Sequence, residues 1–199
     1  MKRGFDLVVA SAALVLLWPL FLVVAVLVKL DSSGTVLFKQ ERMGRRFQPF
    51  VIYKFRTMAM SPATASRIAL GDESRATRVG RLLRRTKIDE MPQLVNVLKG
   101  DMSLVGPRPE VRQFVELFPS EYAEILEARP GMTDLASIKY RDEAALLALA
   151  ADPEAEYVGR ILPDKIRLAR EYVRRSSVAF DLALLAKTLW SVAGGKVAA

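Results

Sequence analysis

Residues 7–28 read LVVASAALVLLWPLFLVVAVLV, twenty-two positions without a charged side chain. A run of that length reads as a membrane helix. Pro19 lies near its middle; it lacks a backbone donor and clashes with the preceding turn, so a break or kink is expected there. The pieces on either side hold 12 and 9 residues. At 1.5 Å per residue they span about 18 and 14 Å, each roughly half of a hydrocarbon core. Lys2 and Arg3 precede the run, and Lys29, Lys39, Arg42, Arg45 and Arg46 follow it. Basic flanks are retained on the cytoplasmic side. A helix that enters, bends at Pro19 and returns satisfies both ends; a kinked spanning helix is the alternative. Lys2, Arg3 and the triplet Ala10-Ser11-Ala12 also imitate a signal peptide, but that triplet lies at the front of the apolar run, not behind it.

The 199 residues are enough for one domain with its own core. The chain has no histidine and no cysteine. Ser-His-Asp and Cys-His catalysis, His/Cys zinc sites and disulfides are therefore excluded. Catalysis would fall to carboxylates, Lys, Arg, hydroxyls, backbone groups or a hard oxygen-bound cation such as Mg²⁺. Residues 1–112 carry 19 basic and 9 acidic side chains, whereas 113–199 carry 11 and 13. A basic half fits an anionic partner: nucleic acid, anionic lipid or a phosphorylated substrate. Nucleic acid is the weakest of these, because the basic residues follow a membrane segment and are not interleaved with aromatics.

Beyond the apolar run, Asp31-Ser32-Ser33-Gly34 reads as a turn. TVLFKQER (35–42) and PFVIYKFRTM (49–58) then form a hairpin pattern around Gly44. Residues 58–76 are small and polar, a surface loop. RVGRLLRRT (78–86) has helical spacing, with Val79, Leu82 and Leu83 on one face. Helices are also predicted over 111–128, 154–175 and 176–195. The last is apolar on almost every side apart from Asp181 and Lys187, which suits the core or a membrane interface with Trp190 at headgroup level.

In RRTKIDEMPQLVNVLKG (84–100), Asp89 and Glu90 follow Arg84, Arg85 and Lys87 and precede Pro92. Acidic residues and proline are both favoured in a first helical turn, so capping explains the pair locally. The alternative is chemistry on an anion held by the arginines.

An ordered series of motifs carries a resemblance. KRGFDLVVA (2–10), the central Pro19, FKQERMG (38–44), KFRTM (54–58), RRTKIDEMPQLVNVLKGDMSLVGPRPE (84–110), RPGMTDLASIKYRDE (129–143) and YVRRSSVAFDLALLAKTL (172–189) occur in sequence. Together they cover essentially the whole chain. It resembles the small monotopic phosphoglycosyl transferases, the bacterial sugar transferase family that primes polysaccharide and glycoconjugate assembly, at the length of the minimal catalytic form. The resemblance implies transfer of a phosphosugar from a UDP-sugar to polyprenyl (undecaprenyl) phosphate, with release of UMP. It implies Asp89 as nucleophile of a covalent phosphosugar intermediate, with Glu90 as its dyad partner, and Mg²⁺ at both. It implies phosphate contacts at Arg84, Arg108 and Arg141, a nucleotide-site role for Pro107-Arg108-Pro109, and a re-entrant helix broken at Pro19. Two positions depart from the family pattern: Trp18 stands where serine precedes the proline, and Asp134 where many members have glycine.

Arg108 lies between two prolines that stiffen its backbone, so little order is lost on binding. Lys54 and Arg56 in the second strand face the site or are plain surface, and Lys54 is grouped with the site. An ordinary aspartate near pKa 3.9 is ionised at pH 7 and needs no general base.

The expected fold is α+β and mostly helical, with a re-entrant membrane helix over 1–30. A small β-hairpin and amphipathic interfacial helices surround a cytoplasmic catalytic core over 31–199, on the bacterial inner membrane in contact with its lipid. Pairing of the chain with itself as a homodimer is left open. The competing functions are a membrane-associated glycosyltransferase that releases UDP, and a non-catalytic basic membrane scaffold.

Overall fold

A computed structural model describes residues 2–59 and 75–192 of the chain. Most of the loop expected over 58–76 lies outside the described residues; at its ends Met58 pairs with Ala76. The described residues are mostly helical, with two small sheets among them.

The apolar run forms α1, Lys2–Asp31. Pro19 lies inside it, and the chain stays helical through the proline instead of dividing into two helices. The missing proline N–H removes one helical hydrogen bond, and the bonds on either side carry the helix past it. One stripe of α1 packs on the rest of the chain: Asp6, Ala10, Val24 and Val28 are buried, and Leu14, Leu17, Leu20 and Phe21 are partly so. Its other side is apolar and exposed, with Val8, Val15, Leu16 and Leu22 uncovered.

Both ends of α1 are fastened to the same body. At the start, Lys2 donates to the Val105 carbonyl at 2.9 Å and pairs with Asp181. Arg3 donates to the carbonyls of Val97 and Leu98, and Asp6 accepts from the Ser103 hydroxyl at 2.8 Å and the Leu104 N–H at 3.2 Å. At the other end Arg56, itself buried, donates to the carbonyls of Val28, Ser32 and Ser33. Asp31 there accepts from the Val79 N–H at 2.9 Å. Arg56 thus satisfies orphan carbonyls at a helix C-terminus and does not face the candidate site. Lys2 and Arg3, read from sequence as topology charges, are also structural contacts.

The hairpin forms as expected. β1 (Leu37–Met43) and β2 (Pro49–Phe55) pair antiparallel, Leu37 opposite Phe55 and Met43 opposite Pro49. Helix α2 (Arg78–Thr86) starts at Thr77, whose hydroxyl caps the Gly80 N–H at 3.0 Å. Leu83 packs inward with Val79, but Leu82 is exposed, because it lies about 100° round the helix from Leu83. Helix α3 (Gln93–Lys99) follows. Its fully buried Asn96 accepts from the Tyr53 N–H and donates to the Val51 carbonyl, so a side-chain amide extends the edge of β2.

Strand β3 (Ser103–Val105) pairs in parallel with β4 (Gly131–Thr133). The backbones meet so closely at Gly106 and Gly131 that a Cβ on Gly131 would lie 2.0 Å from the Gly106 nitrogen. Between these strands, the helix expected over 111–128 is two short ones, α4 (Arg112–Val115) and α5 (Pro119–Ile125), because Pro119 restarts the helix. Then come α6 (Leu135–Lys139), α7 (Glu143–Ala148) and α8 (Pro153–Glu156). One π-helical turn over Tyr157–Ile161 joins α8 to α9 (Leu162–Arg175). The last helix is α10 (Val178–Val192), with Leu184 and Asp181 buried and Val178, Leu182, Leu189 and Trp190 exposed. A central core of Ile52, Leu94, Val97, Met102, Leu104 and Tyr172 joins β2, α3, β3 and α9 behind the acidic pair.

Candidate active site

Lys87 ends α2 in the left-handed conformation, φ 57, and its N–H returns to the carbonyls of Arg84 and Leu83. The chain then makes one 3₁₀ turn, Ile88–Glu90, before Pro92 opens α3. Both acidic residues lie inside the 3₁₀ turn, whose N-cap is Lys87, while α3 has Pro92 as its N-cap. Their side chains fare differently: Glu90 is held by cations distant in sequence, and Asp89 Oδ1 has no partner.

Glu90 is clamped. It accepts from Arg108 Nη2 at 2.5 Å and Nη1 at 3.3 Å, and from Lys54 Nζ at 2.7 Å. Burial alone would raise its pKa, but Arg108 and Lys54 together hold it well below the usual carboxylate range. Burial pushes the Lys54 ammonium below its ordinary value, against the pull of Glu90.

Asp89 differs from its neighbour. It is 8% exposed, and its Oδ1 is buried without a hydrogen-bond partner. Burial pushes its pKa from 3.8 up to about 6, with Glu90 adding to the rise and Lys54, Lys87 and Arg84 opposing it. The ordinary aspartate expected from sequence is thus replaced by one that titrates near pH 6. A buried, unpaired carboxylate oxygen carries a desolvation penalty that an electrophile or a cation would relieve.

The structure brings Lys54, Arg84, Lys87 and Arg108 around the dyad. Arg108 is carried by the segment between β3 and α4. There its N–H donates to Asp134 Oδ2 at 3.1 Å, and Asp134 Oδ1 caps α6 by accepting from the Ser137 N–H at 2.7 Å. Asp134, which sequence reading singled out only as a departure from the family pattern, thus fixes the backbone between Pro107 and Pro109. Two residues on, buried Glu110 anchors that segment through Arg42, Tyr157 and the Val111 N–H. Arg141 does not point its guanidinium at the dyad. It donates to the carbonyl and hydroxyl of Ser191 in α10, while its own carbonyl accepts from Lys87 Nζ at 3.2 Å. A cavity of about 450 Å³ lies elsewhere, between α5 and α9. Its arginines are paired with Glu124, Asp164 and Glu171.

Among the described residues no three acidic side chains cluster as a self-contained metal site. Asp89 and Glu90 are the oxygens on hand, one of them unpartnered. That set fits Mg²⁺, which is commonly bound by one or two carboxylates together with substrate phosphates and water.

The dyad thus joins a Glu90 held by two cations to an Asp89 whose Oδ1 has no hydrogen-bond partner. The chain belongs to the bacterial sugar transferase family, whose model matches residues 1–195. It is 39% identical over 200 residues to a UDP-N-acetylgalactosamine-undecaprenyl-phosphate N-acetylgalactosaminephosphotransferase of Aeromonas hydrophila, covering 98% of this chain and 44% of that protein. It is 39% identical to the exopolysaccharide production protein PSS of Rhizobium leguminosarum bv. phaseoli, over 96% of this chain and 94% of that one. A UDP-glucose:undecaprenyl-phosphate glucose-1-phosphate transferase of Caulobacter vibrioides is 47% identical over 144 residues, which cover 69% of this chain and 53% of its own. The chain thus spans less than half of the Aeromonas relative but nearly all of the Rhizobium one.

Proposed function

We propose that the chain moves a sugar 1-phosphate from a UDP-sugar to polyprenyl phosphate and releases UMP, as a first membrane step of exopolysaccharide or related glycoconjugate synthesis. The observation that carries this reading is the Asp89 oxygen left without a partner beside a Glu90 held by two cations. Asp89 attacks the phosphorus bearing the sugar; the new carboxylate–phosphorus bond forms as the bond to UMP breaks. The lipid phosphate then resolves the phosphosugar from Asp89. An anionic nucleophile and a diphosphate repel by about 4 kcal/mol per charge pair at 4 Å and an effective dielectric near 20. Arg84, Arg108 and Lys54 oppose that repulsion. Mg²⁺ held by Asp89 and Glu90 would neutralise diphosphate charge. Pro107 and Pro109 limit the freedom of Arg108 and so the entropy lost on binding. Names of the relatives support both substrates.

Incubation with a UDP-sugar and no acceptor should leave a phosphosugar on Asp89, seen by intact mass, with one equivalent of UMP. Release of UDP instead would place the attack at the sugar carbon. The first step should also lose activity on acidification. With Asp89 titrating near pH 6, about 90% is ionised at pH 7 and about 10% at pH 5. kcat/KM for the UDP-sugar is therefore expected to fall about tenfold from pH 7 to pH 5; a profile flat to pH 4.5 would contradict an Asp89 nucleophile with this pKa.

The same reading sets residues 1–30 as a re-entrant segment of the inner membrane and 31–199 as a catalytic domain on its cytoplasmic face. Fastening of both ends of α1 to one body supports it, since a spanning helix would part them by the bilayer. The exposed apolar side of α1 would meet lipid. The chain lacks cysteine, so single thiols report cleanly. Gly4→Cys, where a Cβ meets nothing within 4 Å, and Thr35→Cys at an exposed position should both resist an impermeant reagent added from the periplasm. Labelling of Gly4→Cys from outside would defeat the topology.

A further inference from the structure

The cations around Asp89 are not equivalent. Arg108 and Lys54 are committed to Glu90. Lys87, two residues before Asp89, is not committed to a carboxylate. Among the described residues its ammonium makes one hydrogen bond, to the Arg141 carbonyl at 3.2 Å, and no ion pair. An ammonium has three donors, so two stay available. The left-handed backbone at Lys87 turns the chain directly into the 3₁₀ turn that carries Asp89, and the ammonium acts on that carboxylate.

On its other side Lys87 leads to α10. The Arg141 that accepts from it has its guanidinium on Ser191, in the last turn of α10. The neighbours of Ser191 on that helix, Leu189 and Trp190, are 71% and 65% exposed. Lys87 is thus linked through Arg141 to the last turn of α10, whereas Lys54 and Arg108 approach from β2 and the segment after β3.

We propose that Lys87 binds the phosphate of the polyprenyl phosphate acceptor, which reaches it along the outer end of α10. This rests on the two-step reading above. In the second step an acceptor phosphate oxygen attacks the phosphorus of the aspartyl phosphosugar. The new P–O bond forms as the bond to Asp89 breaks, and the carboxylate leaves with the electron pair; no proton is needed. An anion must approach an anionic centre here for the second time, and Lys87 brings uncommitted positive charge to that place.

The test separates the two half-reactions in the full chain with Mg²⁺ at pH 8. Asp89, which titrates near pH 6, is then about 99% ionised, so losing a neighbouring cation does not withdraw the nucleophile. Lys87→Met should give a UMP burst without acceptor at a rate within about twofold of wild type, while KM for polyprenyl phosphate rises about tenfold or more. Lys87→Arg should recover most of the acceptor affinity. An equal fall in burst and turnover would make Lys87 a support of Asp89 or of the fold, and would overturn the proposal. An unchanged acceptor KM in Lys87→Met, with a normal wild-type burst, would overturn it alone. A wild-type chain with no UMP burst would overturn the two-step reading and this assignment together.

Discussion

Asp89→Asn should abolish both the phosphosugar adduct and UMP release, a loss of at least about 10⁴-fold, while the protein becomes more stable. Asparagine keeps the shape of the side chain and cannot act as an anionic nucleophile. The stability gain follows from the raised pKa. A carboxylate that titrates at about 6 when folded and near 3.8 otherwise favours the fold below pH 3.8; that contribution is lost as pH rises through 6. At pH 7 its ionisation opposes folding by roughly 3 kcal/mol. Asparagine resembles the protonated acid, so the variant is expected to melt several degrees higher at pH 7, at about 2–4 °C per kcal/mol for a chain of this size. The advantage should vanish near pH 4, where the wild-type acid is itself protonated. Loss of activity with a higher melting temperature rules out unfolding as its cause. A variant that retains a hundredth of wild-type turnover, free of deamidated protein, would remove Asp89 from the chemistry.

Most of the local structure was legible because its causes are local. The hairpin follows from two β-branched and aromatic runs around Gly44, and α2 from the helical spacing of Val79 and Leu83. The place of the acidic pair between a basic helix end and Pro92 was also readable. What escaped depends on partners far along the chain. Lys54 and Arg56 are two residues apart and look alike as strand residues. Yet one meets Glu90, 36 residues on, and the other closes the end of α1, 28 residues back. No spacing rule separates a site cation from a helix cap when the distinguishing partner is tertiary. The pKa of Asp89 escaped for the same reason, since burial is its largest cause. Asp134 was noticed for its oddity, but its contact with the Arg108 N–H needs the parallel pairing of β3 and β4 to exist. Arg141 matched a motif, while its guanidinium is turned to α10.

Arg108→Met should lower kcat/KM for the UDP-sugar by about 10²–10³-fold, the cost expected when a charged donor is taken from a developing phosphoryl transition state. Two effects act together. The diphosphate loses a guanidinium whose planar fork matches phosphate oxygens. Glu90 loses the partner at 2.5 Å that, with Lys54, holds its pKa low. Its carboxyl should then titrate higher, and it and Asp89 will compete for one proton, as like charges in a shared site do. The acidic limb of the pH profile should consequently broaden into two steps in the variant. Arg108→Lys should fall between the two, because it restores one charge without the fork. The double variant Arg108→Met, Glu90→Gln removes both members of the pair. Because Glu90 also belongs to the proposed Mg²⁺ site, the double variant is read by its pH profile and melting temperature: folding and a single acidic step should return, while the affinity for UDP-sugar should not. Wild-type kcat/KM in Arg108→Met itself would remove the guanidinium from the donor site, leaving it as an internal counter-ion.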